Sequence, residues 1–133
     1  MSLCPWSSLI RLAQRDLLRY TEGVPVATAA KVQALKVDFE SQAAVADLLG
    51  VSRSRVTRWL KGEGIDPVNA ERIDLLELVS ANLRRIYEPE AVRAWLVGLN
   101  PNLGDRRPID LVRAGKAEEL MRAIRAERAD SFA

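Results

Sequence analysis

Residues 41–61, SQAAVADLLGVSRSRVTRWLK, decide how the fold is interpreted. Apolar residues recur through this stretch at the spacing of two short helices that each bury one face. Ala46 is small, as two closely crossing helices require where they touch, and Gly50 falls at the turn, where a positive φ favours glycine. Ser52 follows the turn and is a good N-cap for the second helix. The spacing therefore predicts a helix-turn-helix, which places its second helix in the major groove of DNA.

The second predicted helix has a basic outer face. An inward stripe of Val56, Trp59 and Leu60 leaves the other side chains facing outward, and residues 52–61 hold four basic residues and no acid. Arginine can bind guanine with two hydrogen bonds, whereas contacts to phosphate set the register of the protein on DNA. The candidates for base edges are Arg53, Ser54, Thr57 and Arg58; the remaining DNA-binding candidates are Gln42, Ser52, Arg55 and Lys61. The alternatives are a solvated basic face on a helical hairpin and a protein-binding module of the same fold.

Composition limits the other classes of function. The chain has 133 residues, 48% of them hydrophobic, and a net charge of only +2, so the basic character is local to one helix. This length fits one domain, or one small domain with an appendage. A single cysteine, Cys4, and no histidine exclude an internal disulfide and a Cys/His zinc site. We expect a cytoplasmic protein that is not an enzyme, with no catalytic, metal or cofactor site and no membrane segment.

Helical periodicity and Gly/Pro punctuation predict an all-α chain. The predicted helices cover residues 6–20, 28–37, the two helices of residues 41–61, then 67–87, 89–97, 108–114 and 116–129, with breaks at 21–26 and 98–108 and a tail at 129–133. Asp66 and Pro67 look like an N-cap and a first helical residue. We expect an N-terminal helical extension over residues 1–36, a DNA-binding region over 37–66 and a small helical region over 67–133.

The longest predicted helix is apolar over a wide arc. Its apolar residues are Ile73, Leu75, Leu76, Leu78, Val79, Leu83 and Ile86. A helix apolar over so wide an arc is either central in the core or covered on a second side by a partner. Because helix-turn-helix proteins commonly bind DNA as dimers, this pattern favours a homodimer, with a central core helix as the alternative.

The second half of the chain resembles a known family. The run of residues 95–124, WLVGLNPNLGDRRPIDLVRAGKAEELMRAI, is similar to the toxin-binding region of Xre/MbcA/ParS-type antitoxins. The matching residues are Trp95, Leu96, Asn100, Leu103, Gly104, Pro108, Asp110, Leu111, Gly115 and Glu119. The resemblance covers the chain from about Phe39 onward and leaves the N-terminal segment outside. The chain departs from the pattern at Asp105, where the family commonly has a second glycine.

The resemblance implies two partners. Such antitoxins inhibit a RES-domain toxin that degrades NAD, with their C-terminal residues at the entrance of its active site, and they repress their own operon. It implies that the C-terminal residues Asp130, Ser131, Phe132 and Ala133 bind the toxin, with operator DNA as the second partner. Further candidates for toxin binding are Arg106, Arg107 and Asp110; the alternatives are a solvated loop for the two arginines and a helix-start residue for Asp110. An aromatic anchor such as Phe132 is a usual centre of a tight interface. Residues 131–133 can equally be a frayed chain end, and the whole chain a stand-alone dimeric repressor without a toxin.

Overall fold

The computed structural model describes residues 24–131, and within that range every regular element is helical. The predicted all-α class is confirmed. The elements are α1 (Val24–Asp38), α2 (Gln42–Leu49), α3 (Arg53–Leu60), α4 (Pro67–Leu83), α5 (Pro89–Val97), a 3₁₀ helix (Pro101–Leu103), α6 (Pro108–Arg113) and α7 (Ala117–Ser131). The helix predicted at residues 6–20, Cys4, Phe132 and Ala133 lie outside the described residues.

Helix α4 is the centre of the core. It packs against α1, α2, α6 and α7, so it is covered from several sides within one chain. Of its predicted wide apolar arc, Leu78 alone is strongly exposed, at 46%. The alternative of a central core helix therefore accounts for the arc without a second copy of the chain. The homodimer stays a prediction, and it now rests on the fact that helix-turn-helix proteins commonly bind DNA as dimers.

The ends of two helices differ from the sequence-based prediction. Helix α1 already includes Val24 and Pro25, which fall inside the break predicted at residues 21–26. This helix also passes through residue 36, where the predicted extension ends. Helix α4 stops at Leu83 instead of residue 87, and Tyr87 N bonds back to the Leu83 carbonyl at 2.9 Å in a final loose turn.

The C-terminal third is more ordered than predicted. The 3₁₀ helix interrupts the predicted loop of residues 98–108, and α7 continues two residues beyond the predicted end at 129, so Asp130 and Ser131 belong to its last turn. The φ angles of Gly104 and Asp105 are +65° and +61°. Asp105 thus takes the left-handed conformation that glycine adopts most readily and that aspartate tolerates better than most other residues.

Candidate functional site

Helix α2 is fixed at both ends. The Ser41 hydroxyl caps its start by accepting from Ala44 N at 2.9 Å. At its other end Gly50 has φ +71°, its N–H donates to the Asp47 carbonyl at 3.2 Å, and Val51 N donates to the Ala46 carbonyl at 3.0 Å. This pair of bonds is the Schellman arrangement, which ends a helix abruptly and redirects the chain. The predicted turn at Gly50 is confirmed, and α3 starts three residues later.

Helix α3 presents its basic face to solvent. Val56 and Trp59 are buried against the core, and Leu60 is partly buried, as the inward stripe predicted. The side chains that are exposed are Arg53, Ser54, Arg55, Arg58 and Lys61. Six of the eight DNA-binding candidates are therefore available at one surface, counting the exposed Ser52 at the start of the helix. Gln42 and Thr57 are half-buried.

The three hydroxyl groups of this surface are already engaged in hydrogen bonds. Ser52 caps α3 by accepting from Arg55 N at 3.2 Å, and its hydroxyl lies 3.2 Å from that of Ser54. Thr57 donates its hydroxyl proton to the Arg53 carbonyl at 3.1 Å. The hydroxyl oxygens of Ser54 and Thr57 keep lone pairs that can accept a hydrogen bond. The arginines and Lys61 are thus the principal donors that the surface offers to base edges or phosphates.

Acidic groups lie beside two of these arginines, although residues 52–61 hold no acid. Arg58 Nε is 3.7 Å from Glu63 Oε2, and both side chains are more than half exposed. Asp66 caps α4 by accepting from Asn69 N at 3.2 Å. The pKa of Asp66 lies below its ordinary value, chiefly because the Asn69 side chain donates to it, with the positive charge of Arg55 as a small addition. The turn after α3 therefore brings negative charge to the edge of the basic face.

The predicted partner-binding arginines are held within the chain. Arg106 donates from Nε to the Leu103 carbonyl at 2.7 Å and from Nη2 to Glu119 at 2.6 Å. Arg107 donates from Nε and Nη2 to the two carboxylate oxygens of Asp110, both at 3.0 Å. These bonds raise the pKa of Arg107 above its ordinary value. These contacts shape the loop between α5 and α6 and tie it to the start of α7. Arg106, Arg107 and Asp110 are all exposed.

The other predicted partner-binding residues lie elsewhere. Asp130 and Ser131 are exposed in the last turn of α7. Twelve residues separate Ser131 from Glu119, the partner of Arg106, which places them about 18 Å apart along the helix axis. The structure therefore divides the predicted toxin-binding residues into two groups at opposite ends of α7, and Phe132 and Ala133 lie outside the described residues.

A polar cluster that the sequence did not predict anchors the far end of α7. The Tyr87 hydroxyl and the Trp95 indole both donate to Glu127, the indole at 3.0 Å. The pKa of Tyr87 is raised, chiefly by its bond to Glu127 and then by burial, while the Ser131 hydroxyl opposes the shift. Trp95 is half-buried. The cluster ties the end of α7 to α5 and to the turn that follows α4.

The contact that Arg113 makes with α2 was also not predicted from the sequence. Arg113 is the last residue of α6, and its Nε donates to the Leu48 carbonyl at 3.0 Å while Nη2 donates to the Asp47 carbonyl at 2.6 Å. A side chain from the predicted partner-binding region thus binds the end of α2, directly before the turn that leads to α3. Its only sequence signal is a basic residue at the end of a short helix.

These features define a small all-α protein with an exposed basic helix and a C-terminal helical region that side-chain hydrogen bonds hold together. Over 83 residues, 62% of this chain, it is 29% identical to the mycobacterial cidal antitoxin MbcA of Mycobacterium bovis, of which the match covers 74%. MbcA of two Mycobacterium tuberculosis strains matches at the same level. This similarity supports an antitoxin family. The chain matches no protein-family model and no solved structure.

None of the helices within residues 24–131 combines the length and the hydropathy that crossing a membrane requires.

Proposed function

We propose that this chain is the antitoxin of a type II toxin–antitoxin pair, that it inhibits a RES-domain toxin which degrades NAD, and that it represses its own operon in the cytoplasm. The observation that carries the proposal is the similarity to MbcA over 83 residues. The exposed basic face of α3 supports the DNA-binding half, because nothing in the fold covers it among the described residues. The proposed role is regulatory and not enzymatic.

In the DNA-binding half, α2 and α3 form a helix-turn-helix and α3 enters the major groove. Arg53 and Arg58 lie on the exposed face, where a guanidinium can bind guanine O6 and N7, and Ser54 lies beside them. Arg55 and Lys61 meet phosphates at the two flanks, and Gln42 contacts a phosphate from the start of α2. Two protomers bind together, as a homodimer on a site with two half-sites.

In the toxin-binding half, the C-terminal residues reach the toxin from the end of α7. The bonds from Tyr87 and Trp95 to Glu127 support this role, because they hold the last turn of α7 in one direction. A segment with a fixed starting point loses less conformational freedom on binding. The loop with Arg106, Arg107 and Asp110 forms a second contact, about 18 Å away along α7.

The DNA-binding half is tested with a fluorescent duplex from the region upstream of the gene that encodes this chain. Arg53→Ala and Arg58→Ala should each weaken binding by about 1–3 kcal/mol. Arg125→Ala is the matched control, since Arg125 is exposed on α7, away from the basic face. If both α3 variants bind as the wild type does, the helix-turn-helix assignment is wrong.

The toxin-binding half is tested by co-expression with the product of the adjacent gene and an assay of NAD depletion. A chain that ends at Ser131 is the sharpest comparison, because it removes Phe132 and Ala133 and leaves α7 whole. If this chain binds the toxin but no longer protects NAD, the tail is the inhibitor. If it protects fully, inhibition comes from the body of the C-terminal region. If the full chain binds no toxin but binds DNA, the protein is a stand-alone repressor.

A further inference from the structure

The carbonyls at the end of α2 need more partners than the backbone supplies. The last four carbonyls of any α-helix lack a partner within the helix. At the end of α2, Val51 N and Gly50 N satisfy the carbonyls of Ala46 and Asp47. Arg113 supplies the donor for the Leu48 carbonyl, at 3.0 Å, and a second donor for Asp47, at 2.6 Å. Its positive charge also lies where the helix dipole is negative.

Arg113 is itself held in place. Its own carbonyl accepts from Arg72 Nε of α4 at 2.9 Å, which fixes the backbone from which the side chain extends. Its Nη1 lies 3.9 Å from Asp110, the carboxylate that Arg107 grips with two bonds. The guanidinium therefore joins the end of α2 to the surface of α6 through groups whose positions are set by other contacts.

The guanidinium also lies directly over the turn. A Cβ on Gly50 would stand 3.3 Å from Arg113 Nε, so the fit between the two residues is close. The chain reaches the N-cap of α3, Ser52, two residues after Gly50. A shift of the turn thus changes the direction of α3. Arg113 restrains this turn although it belongs to neither α2 nor α3.

We propose that Arg113 is a positioning residue for DNA binding: it fixes the angle of α3 from within the partner-binding half of the chain without touching DNA. The inference rests on the proposed function of α3. It also places one side chain between the two proposed binding surfaces, since the Asp110 carboxylate is close to Arg113 and exposed to a partner.

The test compares Arg113→Met, which keeps the apolar stem, and Arg113→Lys, which keeps the charge without the fork of donors. Arg125→Met is the control, because it removes an exposed arginine from α7. Binding is measured on the upstream duplex over a range of salt concentrations. Hydrogen exchange of the Gly50 and Val51 amides is followed in the protein alone.

We expect Arg113→Met to weaken DNA binding roughly tenfold with an unchanged salt slope, Arg113→Lys to lie between it and the wild type, and Arg125→Met to change affinity less than about twofold. Exchange at Gly50 and Val51 should rise roughly tenfold while amides of α7 keep their protection. A salt slope reduced by about one would mean that Arg113 contacts a phosphate directly, and would overturn the inference.

Two further results would also overturn it. Unchanged exchange at Gly50 and Val51 would show that the turn does not depend on Arg113. A uniform rise across all helices would show that the residue serves global stability and not position. If the wild type fails to bind the duplex, the proposed DNA-binding function fails, and the exchange data still decide whether Arg113 holds the turn.

Discussion

Replacing Gly50 with alanine tests the contact between the turn and Arg113. Gly50, Gly104 and Gly115 have nearly the same φ, +71°, +65° and +72°. A residue with a Cβ pays about 1–2 kcal/mol to adopt this left-handed conformation. Alanine also restricts the unfolded chain, which offsets roughly 0.4–1 kcal/mol. The backbone contribution should therefore be similar at the three positions, about 1 kcal/mol.

The three sites differ in what the new methyl group meets. A Cβ at Gly104 or Gly115 has no neighbour within 4 Å, whereas at Gly50 it would lie 3.3 Å from Arg113 Nε and 3.5 Å from Cζ. The guanidinium must move, and its bonds to Leu48 and Asp47 are then weakened. Hydrogen bonds to charged groups contribute about 1.5–3 kcal/mol. Because the Arg113 side chain is 35% exposed, water replaces part of that loss, and we expect roughly 1 kcal/mol in addition.

Gly50→Ala should therefore lower the free energy of unfolding by about 2 kcal/mol, and Gly104→Ala and Gly115→Ala by about 1 kcal/mol each. Urea unfolding followed by tryptophan fluorescence measures all three. In an Arg113→Ala background the extra loss of stability at Gly50 should disappear, because the side chain that the new methyl group meets is absent. The double-mutant cycle measures this difference. Equal losses at the three glycines, or an extra loss at Gly50 that persists without Arg113, would refute the reasoning.

Three further predictions concern single contacts. Glu63→Gln should strengthen DNA binding severalfold at low salt, since it removes the carboxylate beside Arg58 and one charge that repels phosphate; an unchanged affinity in a binding titration would contradict this. Tyr87→Phe should cost about 1–2 kcal/mol near pH 7, because the bond to Glu127 is lost. The raised pKa of Tyr87 means that this contribution is present below pH 10 and declines as pH rises through the folded-state pKa, so urea unfolding of both proteins at rising pH should converge. Asp66→Ala should cost about 1 kcal/mol at pH 7 through loss of the α4 cap. Because the pKa of Asp66 is lowered, the difference should be complete above its ordinary value of 3.8 and shrink as pH falls below it; thermal melts that keep the same difference at pH 2 would show that the charge is irrelevant.

The sequence by itself determined the features that depend on neighbours within a few residues. Ser52 and Asp66 as N-caps, Pro67 and Pro108 at helix starts and Gly50 at a helix end all follow from bonds between residues close in the chain. The inward position of Val56 and Trp59 follows from the helical period. These local rules were enough to predict the two helices, the turn between them and the basic face of α3.

Only the tertiary structure decided which side chains meet across the chain. Arg113 and Leu48 are 65 residues apart, and Tyr87 and Trp95 reach Glu127 across 40 and 32 residues. A long polar side chain has many possible partners in the sequence, and packing of the helices selects one of them. The same packing buried the wide apolar arc of α4 within one chain. The sequence left open whether this chain or a second copy covers the arc, because helical periodicity shows how much of a helix surface is apolar and not what covers it.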